Sequence, residues 1–322
     1  MQIQSSLANQ IVSTEAAGER LDKLLTALLS HADASVSRSR VQQIIKDGSV
    51  TVNGKAERAS YRVDAGDELC YPIPELPKAR EVLAENIPLA VIYEDESVAV
   101  INKPAGMVVH PALGHWDSTL VNAVLHRWPQ TAEVGERSRA GIVHRLDMDT
   151  SGVIVIAKTE DARRNLLRQF KARHVQKRYL ALVHGTPATP TGEINAPIGR
   201  DPRQRNKKAV VRDGRESLST YNVLKDYGNM TFVEVLPHTG RTHQIRVHLA
   251  FIKTPVVGDT VYGHRKERGP VHIPRQFLHA ESLTFVSPAT KQPITLHAPL
   301  PPDLQRVLDS LERLSRDYEN RE

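Results

Sequence analysis

The chain reads as α+β: a small N-terminal α/β module followed by a larger domain with a mixed, mainly antiparallel sheet. Three observations predict this. Two helical patterns and an Asn53-Gly54 turn are packed into the first part of the chain. A proline-rich stretch, Pro72-Ile73-Pro74-Glu75-Leu76-Pro77-Lys78, then interrupts all periodicity. Beyond Leu89 strand-like runs outnumber helical ones, yet both occur, which is the α+β pattern.

The elements follow in order. In residues 20–29, Leu21, Leu24, Leu25, Leu28 and Leu29 fall on one helical face. Ser37 is a suitable N-cap for a second helix carrying Val41, Ile44 and Ile45, and Asp47-Gly48 ends it. Val50, Val52 and Asn53-Gly54 predict a hairpin, and Asp67–Tyr71 a closing strand. Residues 1–75 are therefore assigned to the module, 76–88 to a semi-rigid Pro-rich linker, and 89–322 to the larger domain. There, Leu89–Tyr93 and Val98–Ile101 predict a hairpin, and Leu120–Trp128 a helix. Gly152–Ala157 is a continuous apolar run and reads as a strand buried on both faces. Thr159–Arg173 is amphipathic, with Leu166, Leu167 and Phe170 inward. Lys177–Val183 and Thr231–Leu236 read as strands, His243–Phe251 and 302–318 as helices. No internal repeat or low-complexity tract is present.

Composition removes several classes. With 322 residues, 40% apolar and 25% charged, the chain is long enough for two packed domains and is neither disordered, collagen-like nor a coiled coil. One cysteine, Cys70, excludes an intrachain disulfide framework and any zinc site needing two thiolates, and fits a reducing compartment. No apolar run approaches the ~18 residues of a membrane helix. Met1–Ser6 has neither the basic nor the apolar part of a signal peptide, so a cytoplasmic protein without a membrane partner is expected.

The charge is basic, 43 Lys and Arg against 37 Asp and Glu, and unevenly spread. The first 75 residues are slightly acidic, whereas residues 137–215 hold 18 Lys and Arg against 7 Asp and Glu. Arg163, Arg164, Arg168, Lys171, Arg173, Lys177 and Arg178 crowd one stretch; Arg200, Arg203, Arg205, Lys207 and Lys208 follow in a loop. A solvated helix face would look the same, but such clusters also neutralise phosphates. Only Phe170 and Tyr179 interleave with them, so a long single-strand stacking platform is not expected.

Three stretches could carry chemistry. His144-Arg145-Leu146-Asp147-Met148-Asp149-Thr150-Ser151-Gly152 brings carboxylates, a cation, an imidazole and hydroxyls to a loop entering the buried strand, although Asp149–Gly152 are also ordinary turn formers. Pro237–His248 holds three histidines. His243 and His248 are five apart, off the i, i+4 spacing of two ligands on one helix face, and no HExxH pattern occurs, so no metal site is expected. Arg246 there could pair with a carboxylate and hold it ionised, or sit on the surface against phosphate. Lys177-Arg178-Tyr179 puts a ring between cations, suited to the core or to base stacking.

Together these stretches resemble the RluA-type family of pseudouridine synthases. His144–Gly152 matches its HRLDxxTSG signature at every fixed position; Asn102–Pro111, Lys177-Arg178-Tyr179, Ala196–Pro202 and Gly240–His248 resemble further family segments in the same order. The resemblance covers residues 89–300, and the module at 20–73 resembles the RNA-binding motif first recognised in ribosomal protein S-four. The combination is closest to the large-ribosomal-subunit synthases of the D type, with the C type next. Met148, Lys207-Lys208-Ala209-Val210 and Ser217–Thr220 depart from the D-type pattern outside the fixed motif.

The resemblance implies isomerisation of uridine to pseudouridine in large-subunit ribosomal RNA or its precursor, without cofactor or metal, by a cytoplasmic monomer. The N1 glycosidic bond breaks, the base rotates and is rejoined through C5. Asp147 matches the essential aspartate, Arg246 its arginine partner, Tyr179 the ring that stacks on the target base, and Arg145 the residue that fills the gap in the RNA. His144, Thr150, Lys177 and Arg241 are expected to bind substrate. RNA contacts are expected from Arg38, Arg40 and Lys46 in the module and from Arg203, Arg205, Lys207 and Lys208 in the loop. The competing readings are a C-type ribosomal RNA or a transfer RNA synthase, a non-catalytic RNA-binding ribosome-assembly factor, and a metal-dependent hydrolase. The Asp147–Arg246 pair argues against the assembly factor, and the missing ligand spacing against the hydrolase.

Overall fold

The computed structural model describes residues 7–32, 36, 38–72, 81–112, 114–204, 207–263, 271 and 273–319. The chain forms two compact units, 1–81 and 82–322. The N-cap assigned to Ser37, most of the proline-rich stretch (73–80) and Arg205 lie outside the described residues.

In the first unit β1 (Leu7–Ile11) precedes α1 (Leu21–Ala32) and α2 (Arg38–Lys46); β2 (Thr51–Val52), β3 (Lys55–Ala56) and β4 (Glu68–Pro72) complete a four-stranded sheet in the order β1-β4-β2-β3. The expected leucine face is its core: Leu21, Leu25 and Leu29 pack with Val41, Ile44, Ile45, Val50, Val52 and Leu69. Asn53 (φ 51°) and Gly54 (φ 77°) both take the left-handed conformation that a tight hairpin turn demands. Asp22 is buried and accepts from Arg20, Arg38 and Gln42. Hydrogen bonding from Arg20 most of all holds its carboxyl far below the usual range. Arg38, expected to face RNA, thus has its guanidinium anchored on Asp22 while its side chain stays 53% exposed.

The second unit begins earlier than the sequence suggests. Val82 is buried in its core, and Leu83 and Glu85 bond Asn122 and Ser118, so residues 82–88 belong to the unit and not to a linker. Its elements are β5 (Ala90–Glu94), β6 (Val98–Lys103), α3 (Leu120–Arg127), β7 (Ser151–Ala157), α4 (Glu160–Lys171), β8 (Gln176–His184), β9 (Thr191–Asn195), β10 (Ile198–Arg200), β11 (Lys208–Val210), β12 (Leu218–Asp226), β13 (Met230–Pro237), α5 (Gln244–Phe251), β14 (Leu278–Val286), β15 (Pro293–His297) and α6 (Pro302–Glu319). Among the described residues a nine-stranded sheet runs β5-β6-β7-β14-β8-β13-β12-β9, with β15 also on β14, and only β7–β14 pair in parallel. β10 and β11 form a separate hairpin.

The fully buried β7 follows from helices on both sides of it. Ile154 and Ile156 pack with Leu120, Val121 and Val124 of α3 in one cluster, while Val153 and Val155 pack with Ala162 and Leu166 of α4 in another. A third cluster joins β8 and β13 to α5 and α6 through Leu182, Val233, Ile245, Leu249, Leu304 and Leu311. Tyr179 packs against two of these cores at once. None of the described helices is long and apolar enough to cross a membrane.

Candidate active site

The loop 144–150 before β7 is gripped from three directions. Its Leu146 is buried in the core while Arg145 and Met148 are exposed, and the Asp147 side chain between them is half-buried. Lys103, at the end of β6, is fully buried and donates to the carbonyls of Pro104, Met107 and Met148 at 2.7, 2.9 and 3.0 Å. Arg275 donates to the Asp149 carbonyl at 3.0 Å and is held by Asp303 of α6; Gln276 donates to the Thr150 hydroxyl at 2.7 Å. His144 accepts from the Val155 amide at 3.0 Å and stacks on Phe170 of α4. Burial pushes this imidazole down to about 3, so it is neutral in this state.

Arg246 reaches the loop from α5. Nη1 donates to Asp147 Oδ2 at 3.0 Å, but its bidentate fork belongs to Asp259, through Nε at 2.7 Å and Nη2 at 2.9 Å. Asp259 also accepts from the Val261 and Tyr262 amides. Burial alone would lower the arginine; the two carboxylates, Asp259 foremost, outweigh it and hold the guanidinium firmly charged. The Tyr262 ring covers Arg246 at 5.1 Å, and its hydroxyl lies 2.8 Å from His243 Nδ1. His243 Nε2 stands 4.0 Å from Asp147 Oδ1.

The alternation along α5 explains the histidine-rich motif. His243 and Arg246 face the site; Gln244 and His248 face backward. Gln244 bonds Thr239, Leu218 and Ser219, and His248 bonds Ser219 at 3.0 Å and the Ala196 carbonyl at 3.0 Å. Among the described residues no three His, Cys, Asp or Glu side chains gather as metal ligands.

A cavity of about 710 Å³ opens above this constellation. Asp147, Tyr179, Arg246, His243, Thr150 and His144 line it, with Arg145, Arg139, Lys171, Lys177 and Arg241 adding positive charge. Burial raises the Tyr179 phenol well above its ordinary value, with the Asp147 charge adding to the effect, so the ring is a neutral, flat surface. Lys177 donates to the Thr239 carbonyl at 3.1 Å, and burial lowers it to about 8. Arg241 donates to the Glu216 carbonyl.

The basic stretch is less free than its sequence suggests. Arg163 and Arg164 pair with Glu160, Arg173 with Glu216, and Arg178 with Glu234 and Glu281. Arg203 is exposed on the β10–β11 turn; Lys207 donates to the Val261 carbonyl, and the Lys208 amide to the Tyr262 hydroxyl. Asp259, Tyr262, Lys103, Arg275 and Gln276 were not anticipated. Only the placement of Lys103 within Asn102–Pro111 gave any sequence signal.

Comparison with known proteins fits this geometry. Residues 97–251 match the family model described as RNA pseudouridylate synthase, and residues 19–69 match the S4 domain. A Bacillus subtilis (strain 168) protein described as an uncharacterized RNA pseudouridine synthase, YlyB, is 42% identical over 95% of this chain and 99% of its own length. Ribosomal large subunit pseudouridine synthase D of Xanthomonas campestris pv. campestris is 42% identical over 96% of this chain and 94% of that protein. The solved structure of human RNA pseudouridylate synthase domain containing 1 superposes with a TM-score of 0.53 at 26% identity, covering 71% of this chain and 96% of that one.

Proposed function

The chain belongs to the RNA pseudouridine synthase family, and on that footing we propose that it isomerises uridines of large-subunit ribosomal RNA to pseudouridine, working in the cytoplasm with Asp147 as its essential group. The single observation that carries this reading is the ion pair at the cavity floor: Asp147 bonded to an Arg246 that is itself locked by Asp259. A carboxylate held in place next to a cationic, aromatic-walled cavity can act at a sugar–base junction, and nothing in a pure RNA binder calls for one.

The target uridine must leave its stack, at a cost of ~a few kcal/mol that binding offsets. Tyr179 receives the flipped base on its face, and Arg145, exposed at the rim, takes the place the base vacates. Lys177, Arg241, Arg203, Lys207 and Lys208 meet phosphates near the cavity, and Arg38, Arg40 and Lys46 do so on the module. The relatives named for the large ribosomal subunit support the choice of that RNA.

The test is incubation of the purified protein with unmodified large-subunit ribosomal RNA, followed by mapping of pseudouridine. Wild type is expected to create pseudouridine at defined positions. Asp147→Asn is expected to create none while binding the RNA within about threefold as tightly. Turnover by Asp147→Asn would remove the assignment.

A further inference from the structure

His243 stands in the site with one nitrogen committed and the other free. It is the residue immediately before α5, and it takes a left-handed backbone (φ 58°, ψ 21°) that a non-glycine residue rarely adopts. Such a conformation persists where the surroundings impose it, and it concentrates at functional sites. Here it turns the ring away from the helix and into the cavity beside Asp147 and Arg246.

Two hydrogen bonds at the Tyr262 hydroxyl bear on the tautomer. The Tyr262 hydroxyl accepts from the Lys208 amide at 2.9 Å, and a hydroxyl has one proton to give. Given to His243 Nδ1, 2.8 Å away, that proton makes the ring nitrogen the acceptor. The neutral ring then carries its hydrogen on Nε2. Burial disfavours the doubly protonated ring; Asp147 opposes this, and Arg246 adds to it. Nε2 is 4.0 Å from Asp147 Oδ1, too far for a hydrogen bond between them, so its hydrogen is not consumed by the carboxylate.

We propose that His243, oriented by Tyr262, is a further catalytic residue of this site, donating its Nε2–H to the uracil oxygen on which negative charge develops as the base leaves the sugar. This deepens the proposed uridine isomerisation and rests on it. When the C1′–N1 bond breaks, its electron pair departs with the base and spreads onto the uracil carbonyl oxygens, while Asp147 meets the deficit at the sugar, either by bonding to C1′ or by taking the C2′ proton. His243 keeps its proton at this step: the hydrogen bond from Nε2 strengthens as the charge grows and is strongest where the barrier lies. Three of the five Arg246 N–H donors are engaged by Asp259 and Asp147. Tyr262 is a positioning residue, acting through the imidazole.

The test is single-turnover pseudouridine formation on a ribosomal RNA fragment, with RNA affinity and thermal melting measured on the same samples. Removing one such donor costs on the order of 10²–10³ in rate. His243→Ala is therefore expected to slow the bound-state rate about 100-fold, with RNA Kd changed less than about threefold. His243→Gln, which keeps an N–H donor, should recover at least about tenfold of that loss, and Tyr262→Phe should slow the step about tenfold. A His243→Ala rate within twofold of wild type overturns the proposal, as does a loss of affinity that matches the loss of rate. If His243→Ala melts early, His243→Gln decides: a rate no better than the alanine variant at wild-type stability also overturns it. Absence of product from wild type itself would instead contradict the proposed reaction, and the role of His243 with it.

Discussion

Arg246 is the residue on which the site turns, and its anchoring is uneven. Asp147 receives one hydrogen bond, Asp259 receives the fork, and Asp259 has no exposed side-chain surface. Breaking a buried pair from one side costs roughly 3–5 kcal/mol because the other charge is stranded. Asp259→Asn should therefore lower stability by about that amount in chemical denaturation and reduce turnover as Arg246 loses its setting. The pairing of Asp147 with Arg246 was legible only through the family resemblance, since both match fixed positions of its motifs. Asp259 was not: it lies in an irregular segment with no periodicity, where one carboxylate looks like any other. Lys177 gives a pH dependence of definite sign. Burial holds it at about 8, below the ordinary lysine value near 10.4. From pH 8 upward its charge is lost from the cavity wall, so RNA affinity should fall between pH 7 and 9, and this step should be absent in Lys177→Met. Stability moves the other way. The unfolded chain binds the extra proton between pH 8 and about 10.4, so folding is favoured progressively over that window. Parallel binding and denaturation titrations distinguish the two.

At the scale of elements, β7 and β14 explain why the signature ends in glycine. Gly152 has φ 119°, and a Cβ built there would lie 2.1 Å from the Ala280 carbonyl oxygen. The short parallel pairing of Ser151 and Gly152 with His279 and Ala280 needs that close approach. Gly152→Ala should cost about 3 kcal/mol or more, from backbone strain and overpacking together, and should displace the loop that carries Asp147. A lowered melting temperature with loss of turnover is the expected result. β7 was readable as a buried run because helices cover both of its faces. β14, its neighbour, was not readable. A bulge between Ala280 and Ser282 shifts its register against β8, and buried His279 and Ser282 interrupt the alternation that marks a strand. β12 was hidden similarly by a bulge between Val223 and Lys225. In α5 the apolar periodicity is weak because polar Gln244 and His248 are buried as an internal network. There the position after Thr239-Gly240 locates the helix more clearly than Ile245, Val247 and Leu249 do.

At the scale of the whole molecule, each unit has its own apolar core, and the second starts at Val82. A protein comprising residues 82–322 should therefore fold, retain the bound-state chemistry and bind ribosomal RNA more weakly than the full chain. Equal affinities would remove the module from RNA binding. The surplus of positive charge lies in the second unit, but ion pairs to Glu160, Glu216, Glu234 and Glu281 absorb part of it. The slope of RNA affinity against salt should thus report fewer phosphate contacts than the number of basic residues in 137–215. The domain plan was legible from proline content and periodicity alone. The boundary was drawn late, because residues 82–88 carry no regular element and dock through Val82 and backbone hydrogen bonds. In the proposed reaction Asp147 converts uridine in large-subunit ribosomal RNA. The most direct measurement maps pseudouridine in that RNA from cells lacking this protein, complemented with wild type or with Asp147→Asn. Sites are expected to vanish on deletion, return with wild type and stay absent with Asp147→Asn. An unchanged map on deletion, or restoration by Asp147→Asn, would contradict this proposal.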